Sequence, residues 1–283
     1  MNQKKTFLKV KDFSVSGEIF ELVYDEALDM LKTYPQPKNE NLPQYYKSED
    51  YISHTDAKRN LFEKVYHIVR RVALKRKLKL INSFSVSEKL LLDVGCGTGD
   101  FLKTAKDNGW KIKGVEPNSN ARKIANLKND NNVLDVDAIK QFDDHSFDVI
   151  TLWHVLEHLP NLNQEIQNLN RLLKPNGRLI IAVPNFNCYD AKYYKQFWAA
   201  YDVPRHLWHF SQKAISKLFL KVDLTVEKTL PLKFDAYYVS LLSEQYKSGY
   251  KNPLRAFLIG FLSNFKAMRS GEYSSLIYVL KKQ

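Results

Sequence analysis

Gly95, Gly97 and Gly99 fall within five residues of one another in the run KLLLDVGCGTGD, residues 89–100. Glycine is required where backbone turns with positive φ or comes closer to a ligand than a Cβ allows. A dinucleotide-binding turn reads G-x-G-x-x-G and sets a pyrophosphate on the positive end of the next helix. Here the third glycine comes one residue early, and Asp93 and Asp100 bracket the turn. Carboxylates in that place disfavour a phosphate and favour an ammonium or a sulfonium; Asp100 also fits a helix-start carboxylate favoured by the macrodipole. Histidines supply a second chemistry. His154 and His158 lie in HVLEH, and His206 and His209 in YDVPRHLWHFS, residues 201–211. Imidazole takes a hydroxyl proton near neutral pH, so His158, then His154 and His206, are the candidate catalytic bases. HVLEH also matches the H-x-x-E-H pattern of a zinc peptidase family. That motif needs a helix presenting both histidines, whereas this one follows an apolar strand and is broken by Pro160, so no metal is expected.

The elements that must position these groups follow a strand-helix rhythm. After the strand that feeds the glycine turn, residues 111–116 (KIKGVE) read as a second strand with Glu116 at its carboxyl end, where an acid accepts from ribose hydroxyls. Residues 133–138 (VLDVDA) read as a short third strand ending in Asp137 and Ala138. FDVITLW, residues 147–153, is a buried fourth strand ending at Trp153. Asn161 to Leu173 is an amphipathic helix stopped by KPNG at 174–177, and RLIIAV, residues 178–183, is a fifth strand. Ser211 to Leu220 reads as a helix, Leu224 to Leu230 as a sixth strand and Ser275 to Leu280 as the last. The expected fold is α/β: a Rossmann-like, seven-stranded, mostly parallel sheet with helices on both faces, plus a small N-terminal cap and a C-terminal insertion.

A ligand that joins adenosine to a sulfonium and an ammonium is S-adenosylmethionine, and residues 88–184 resemble the class I S-adenosylmethionine-dependent methyltransferases. The resemblance implies that Asp93, Gly95, Gly97 and Gly99 hold the methionine part, that Glu116 holds the ribose, and that Asp137 with Ala138 holds the adenine edge. Asp135 and Asp143 are rivals of Asp137, and Trp153 joins the implied cofactor-binding set. PRHLWHF, residues 204–210, resembles the P-R-H-L-x-H-F segment of one small-molecule branch of that superfamily. Some quinone-pathway O-methyltransferases bind a divalent metal after strand four through acids and a histidine; His154 stands where their first acid would be, which argues against a metal here. The implied activity is methyl transfer to a small-molecule acceptor, with oxygen favoured by the histidines. An RNA or protein methyltransferase using the basic surface is an alternative, although no N/D-P-P-Y signature follows strand four. A non-catalytic S-adenosylmethionine-binding protein is a third reading.

Length, charge and cysteine usage set bounds. The 283 residues accommodate one sizeable core and a smaller accessory unit. The expected division is a β-rich or irregular cap over 1–55, a linking helix over 56–87 starting at a Thr55–Asp56 cap, and a methyltransferase domain over 88–283 with an insertion at about 233–269. Cys96 and Cys188 form no disulfide framework, and a reducing cytoplasm is expected. No cysteine precedes Cys96, which excludes a cysteine-ligated zinc site in the cap. No signal peptide is evident and no stretch suits a membrane span, so stable membrane insertion is not expected. The net charge of +12 raises the question of polyanions, but RRVALKRKLK, residues 70–79, interleaves apolar residues at helical spacing and reads as the wet face of a packed helix; nucleic acid is not the expected partner. Tyr45 to His54 reads as an aromatic lid or an anchor of the cap. Arg205 suits an acidic substrate or a loop-locking carboxylate. The insertion has three readings: a wall of the acceptor pocket, a homodimer face, or an amphipathic membrane-surface helix.

Overall fold

The computed structural model describes residues 5–46, 61–86 and 88–283, with 61–67 as backbone only. The expected Thr55–Asp56 cap and the lid beyond Tyr46 lie outside the described residues. Three strands, β1 (Thr6–Lys11), β2 (Ile19–Asp25) and β3 (Met30–Tyr34), open the chain as an antiparallel meander. Helix α1 (Leu61–Ile81) leads to β4 (Leu90–Val94), α2 (Asp100–Lys106), β5 (Lys111–Val115), α3 (Ser119–Lys128), β6 (Val133–Leu134) and β7 (Phe147–Trp153). There follow α4 (Leu162–Leu172), β8 (Leu173–Pro184), α5 (Tyr189–Tyr194), β9 (Trp208–His209), α6 (Gln212–Leu220), β10 (Leu224–Pro231), α7 (Asp235–Ser248), α8 (Pro253–Ser270) and β11 (Ser275–Lys282).

Seven of these strands form one sheet in the order β10-β11-β8-β7-β4-β5-β6. The five from β6 to β8 run parallel, and β11 lies antiparallel between β8 and β10. The central strands are mostly apolar because helices cover both faces; Leu91, Leu92, Val149, Ile150, Ile180 and Ile181 are fully buried. The chain moves outward from β4 in one direction through β5 and β6 and in the other from β7 through β8. The carboxyl ends of β4 and β7 therefore form the switch point at which such sheets bind ligands. Residues 133–138 do not form one strand: β6 keeps two residues, and Val136–Gln141 turns into a 3-10 helix, because the polar run after Leu134 has no neighbour on that outer edge.

The meander does not stand alone. β9, within the PRHLWHF segment, pairs with β3 as a fourth strand, Leu31 opposite His209 and Lys32 opposite Trp208. Val10, Phe20, Leu22 and Leu31 pack with Tyr194, Trp198 and Tyr201 in a shared core. Local chemistry sets the helix ends. Ser211 Oγ caps α6 by accepting from Ala214 N, and Asn252 Oδ1 caps α8 by accepting from Arg255 N. Gly249 and Gly271 end α7 and α8 in the left-handed region.

Two buried or bridging carboxylates hold these layers together. Asp190, fully buried, accepts from Trp198 Nε1 at 2.8 Å, Ser263 Oγ at 2.6 Å and Ser274 Oγ at 2.7 Å, and so ties α5, α8 and the start of β11. Asp190→Ala strands three buried donors at once and is expected to destabilise the fold by about 3 kcal/mol, measured as a shift of the urea midpoint. Asp29 bridges the meander to Ser211, whose hydroxyl lies 2.7 Å from its Oδ2, and also accepts from the Tyr24 hydroxyl. Burial pushes this carboxyl up, but donation from Tyr24 and Ser211, with Lys213 and Lys217 nearby, holds it below the ordinary carboxylate range. A value lower in the folded than in the unfolded state contributes stability above the ordinary range, and that stability is lost as pH falls through it. Asp29→Asn is expected to flatten this acid limb, read from urea melts between about pH 2 and pH 7.

Candidate functional site

The glycine turn sits on the carboxyl end of β4 and is held by backbone. The amides of Gly95 and Cys96 both donate to the Val115 carbonyl, at 2.8 and 3.2 Å, and the Gly99 amide donates to the Cys96 carbonyl at 3.0 Å. All three glycines have positive φ. A Cβ on Gly95 would meet Val155 at 2.5 Å and one on Gly99 would meet Asn129 at 2.4 Å, whereas one on Gly97 would meet nothing within 4 Å. The first and third glycines are thus required by packing, and the middle one faces open space over the sheet.

Glu116, buried at the end of β5, accepts from the Gly97 amide through Oε2 and from the Asn118 amide through Oε1, each at 2.9 Å. Burial raises its carboxyl and the two amides oppose the shift. Each oxygen retains a lone pair. Asp93 lies opposite Thr151 across the β4–β7 pair and accepts from its hydroxyl at 2.6 Å. Burial pushes its carboxyl up to about 7, against the pull of Thr151 and Lys77. Asp100, the other bracketing acid, is consumed by protein cations: it pairs with Arg70 and with Lys128 at 2.9 Å. Asp137 lies on the 3-10 turn after β6, 78% exposed and 3.0 Å from Lys140, with Ala138 half-buried beside it. Its rival Asp135 pairs with Arg122 at 2.9 Å. Trp153 stands at the end of β7 in a T-shaped pair with Phe101, and its buried Nε1 donates to no partner among the described residues.

Sequence reasoning missed Lys77. Its ammonium lies 4.3 Å from the centre of the Trp153 ring and 5.7 Å from that of Phe101, and burial lowers it to about 8 against the attraction of Asp93 and Asp235. The basic run of α1 is therefore not simply a solvated face. Arg70 and Lys77, seven residues apart, share the side that also carries half-buried Leu74 and Leu78, while Arg71, Lys75 and Lys79 face water.

The histidines gather on the β7 side. His154, at φ 57°, lies between two acids, with Nε2 3.1 Å from Asp235 and Nδ1 3.5 Å from Glu157. Burial would lower its pKa, but the two acids raise it to about 10, so the ring is a cation at neutral pH although part of its surface reaches solvent. His158, on a 3-10 turn, has Nδ1 3.1 Å from the Arg205 carbonyl and 3.0 Å from the Tyr46 hydroxyl. These partners assign the proton to Nδ1 and the lone pair to Nε2. His206 is edge-on to His158 at 4.6 Å, and its Nδ1 lies 2.9 Å from the Ala200 carbonyl. Burial and the neighbouring His158 push His206 well below the ordinary imidazole range, which keeps it neutral. His209 is likewise lowered, to about 3, by burial and sits 3.0 Å from Thr33 Oγ1. Arg205 pairs with Asp202 and donates to Ser14 at 2.9 Å. Ligand atoms of Glu157, His158 and His206 lie within 4.8 Å of one another, a spacing a metal ion could bridge. Asp235, which starts α7, carried no signal in the sequence beyond opening the insertion.

The family described as "Methyltransferase domain" matches residues 59–229. Among curated relatives, a ubiquinone biosynthesis O-methyltransferase of Saccharophagus degradans is 32% identical over 109 residues, 36% of this chain and 46% of that protein. A sterol 4-C-methyltransferase of Caenorhabditis elegans is 34% identical over 98 residues, 32% and 29% of the two chains. The chain thus spans at most about half the length of these relatives. Among solved structures, a cyclopropane synthase from Mycobacterium tuberculosis superposes with a TM-score of 0.56 at 16% identity, over 88% of this chain and 100% of that one. A SAM-dependent methyltransferase from Archaeoglobus fulgidus superposes with a TM-score of 0.51 at 20% identity, over 79% and 100%. At such identities the likeness is one of fold, and it is the seven-stranded sheet expected from the sequence.

The glycines separate packing from ligand approach. Gly97→Ala carries the left-handed penalty of about 1 kcal/mol with no clash, so it is expected to fold, with a small drop in melting temperature, and to lose S-adenosylmethionine binding in calorimetric titration. Unchanged binding would remove Gly97 from the ligand surface.

Proposed function

The chain belongs to the methyltransferase-domain family, a class I fold whose cofactor is S-adenosylmethionine, and on that premise we propose that it methylates an oxygen of a small-molecule acceptor. The observation that carries this reading is the union of the glycine turn with Glu116: backbone from one strand end and a buried acid from the next converge where an adenosine and its sulfonium chain would lie. In this reading Asp93, Gly95, Gly97 and Gly99 take the methionine part, Glu116 takes the ribose, Asp137 and Ala138 border the adenine, and Trp153 walls the slot. Residues 88–283 form the catalytic domain, 56–87 the link and 1–55 the cap.

Transfer is a direct displacement. The acceptor hydroxyl gives its proton to a base, its oxygen forms a bond to the methyl carbon, and the carbon–sulfur bond breaks to leave S-adenosylhomocysteine. The donor supplies the leaving group. Electrostatics distributes the histidine roles: His154, clamped as a cation by Glu157 and Asp235, is no proton acceptor and instead positions Glu157. His158, with Nδ1 anchored on the Arg205 carbonyl and its lone pair thereby on Nε2, is the base, and neutral His206 packs against its ring. This arrangement supports placing the chain in the small-molecule branch with the P-R-H-L-x-H-F segment, since Pro204 to Phe210 supply His206 and the Arg205 carbonyl. The O-methyltransferase names of relatives support oxygen over the matched segment. Among the described residues no helix is long and apolar enough to cross a membrane, which is consistent with the cytoplasmic placement we favour.

The assay is release of S-adenosylhomocysteine with a panel of phenolic, sugar and quinone-precursor hydroxyl acceptors. His158→Ala is expected to reduce turnover on the order of 100-fold and to leave the S-adenosylmethionine dissociation constant unchanged. An unchanged rate would exclude His158 as the base, and no turnover by the native chain on any hydroxyl acceptor would argue against oxygen.

A further inference from the structure

Helix α8 is inside out. Its buried side chains are Ala256, Ile259, Gly260, Ser263 and Ala267, mostly small, and they allow close approach to α7: a Cβ on Gly260 would meet Tyr237 at 2.7 Å. Its large apolar side chains point the other way. Leu254 is 86% exposed, Phe257 and Met268 are each 63% exposed, and Leu258, Phe261 and Phe265 are about half exposed. At about 100° per residue these six fall on one stripe about 100° wide, opposite the buried one, and from Leu254 to Met268 it runs about 21 Å. A helix that packs only against its own protein puts its large apolar residues inward. Here they are stacked on each other in the open, Phe261 on Phe265 and Phe257 on Tyr237, and they continue into a groove of about 410 Å³ edged by Arg76, Lys233 and Phe234.

The charge around this stripe selects its occupant. Residues 249–270 contain four basic residues and no acidic one. Arg255, Lys266 and Arg269 lie along one flank, with Lys251 before the helix and Arg76 and Lys233 at the groove. Arg255 is partly engaged by Tyr193 and Glu244, and Lys266 lies over the Tyr189 ring. Two copies of such a face would bring like charges together. An acidic lipid surface meets both requirements, taking the aromatic stripe into its interfacial layer and the cations onto its headgroups. The geometry points to α8 as a peripheral docking element that lays the chain, uninserted, on an anionic bilayer. This inference is independent of the methyl-transfer reading.

The test is co-sedimentation of the full chain with vesicles of phosphatidylcholine alone and of phosphatidylcholine with phosphatidylglycerol. The expected result is pelleting with the anionic vesicles, reversed by high salt and lost in Phe261→Gln/Phe265→Gln, whose thermal melt by circular dichroism matches the native chain. Lys251→Gln/Arg269→Gln is expected to weaken pelleting while leaving the melt unchanged. Failure to pellet with anionic vesicles, or equal pelleting of the phenylalanine variant, would overturn the inference. So would a native dimer in sedimentation velocity that the phenylalanine variant abolishes, because it would make the stripe a contact between copies.

Discussion

The hydrogen bond from the Gly97 amide to the Glu116 carboxylate is the constraint on which the site depends. A carboxylate buried at a strand end is pushed toward its neutral form unless donors replace its water; burial raises Glu116, and two backbone amides oppose that shift. One belongs to its own strand exit; the other belongs to the turn on the neighbouring strand. That second donor is aimed correctly only while the turn runs through left-handed glycines and while β4 and β5 keep the register that sets Val94 opposite Val115. Sheet register, turn conformation and the placement of the acid therefore support one another.

Across the switch point a different balance holds. Asp93 is buried beside the hydroxyl of Thr151 and within the field of Lys77, so the slot carries one acid pushed up to about 7 and one amine pulled down to about 8. A few residues on, two acids clamp His154 as a cation, while burial keeps His206 and His209 neutral. Four histidines that look equivalent in sequence thus divide into a charged ring beside acids, two buried neutral rings, and His158, whose tautomer is set by a backbone carbonyl.

Much of this is legible in the amino-acid sequence. The buried parallel strands read as continuous apolar runs because both faces are covered, and the glycine spacing identified the turn because only backbone of that shape fits over β4. What stayed hidden depends on partners distant in sequence. Two residues, Trp208 and His209, become a strand only because β3 offers an edge. Asp100 reads as a bracketing or helix-start acid, and it does open α2, but its pairing with Arg70 and Lys128 has no local signal. Lys77 reads as solvated because local periodicity cannot tell which side of a basic helix meets Trp153. Residues 133–138 read as one strand, yet the pairing ends at Leu134, whose carbonyl accepts from the Glu116 amide just before Pro117.

The insertion shows the same limit from the other side. Its apolar helix was readable as apolar, but composition alone does not say which stripe is buried. That is decided by α7, whose Tyr237 and Ala236 approach Gly260 so closely that the crossing has no room for a side chain there. Tight packing on that side leaves most of the bulky residues outside. The first residue of α7, Asp235, meanwhile holds His154. One helix thus fixes a charged ring at the candidate site with its first turn and, along its length, dictates which face of α8 meets the surroundings.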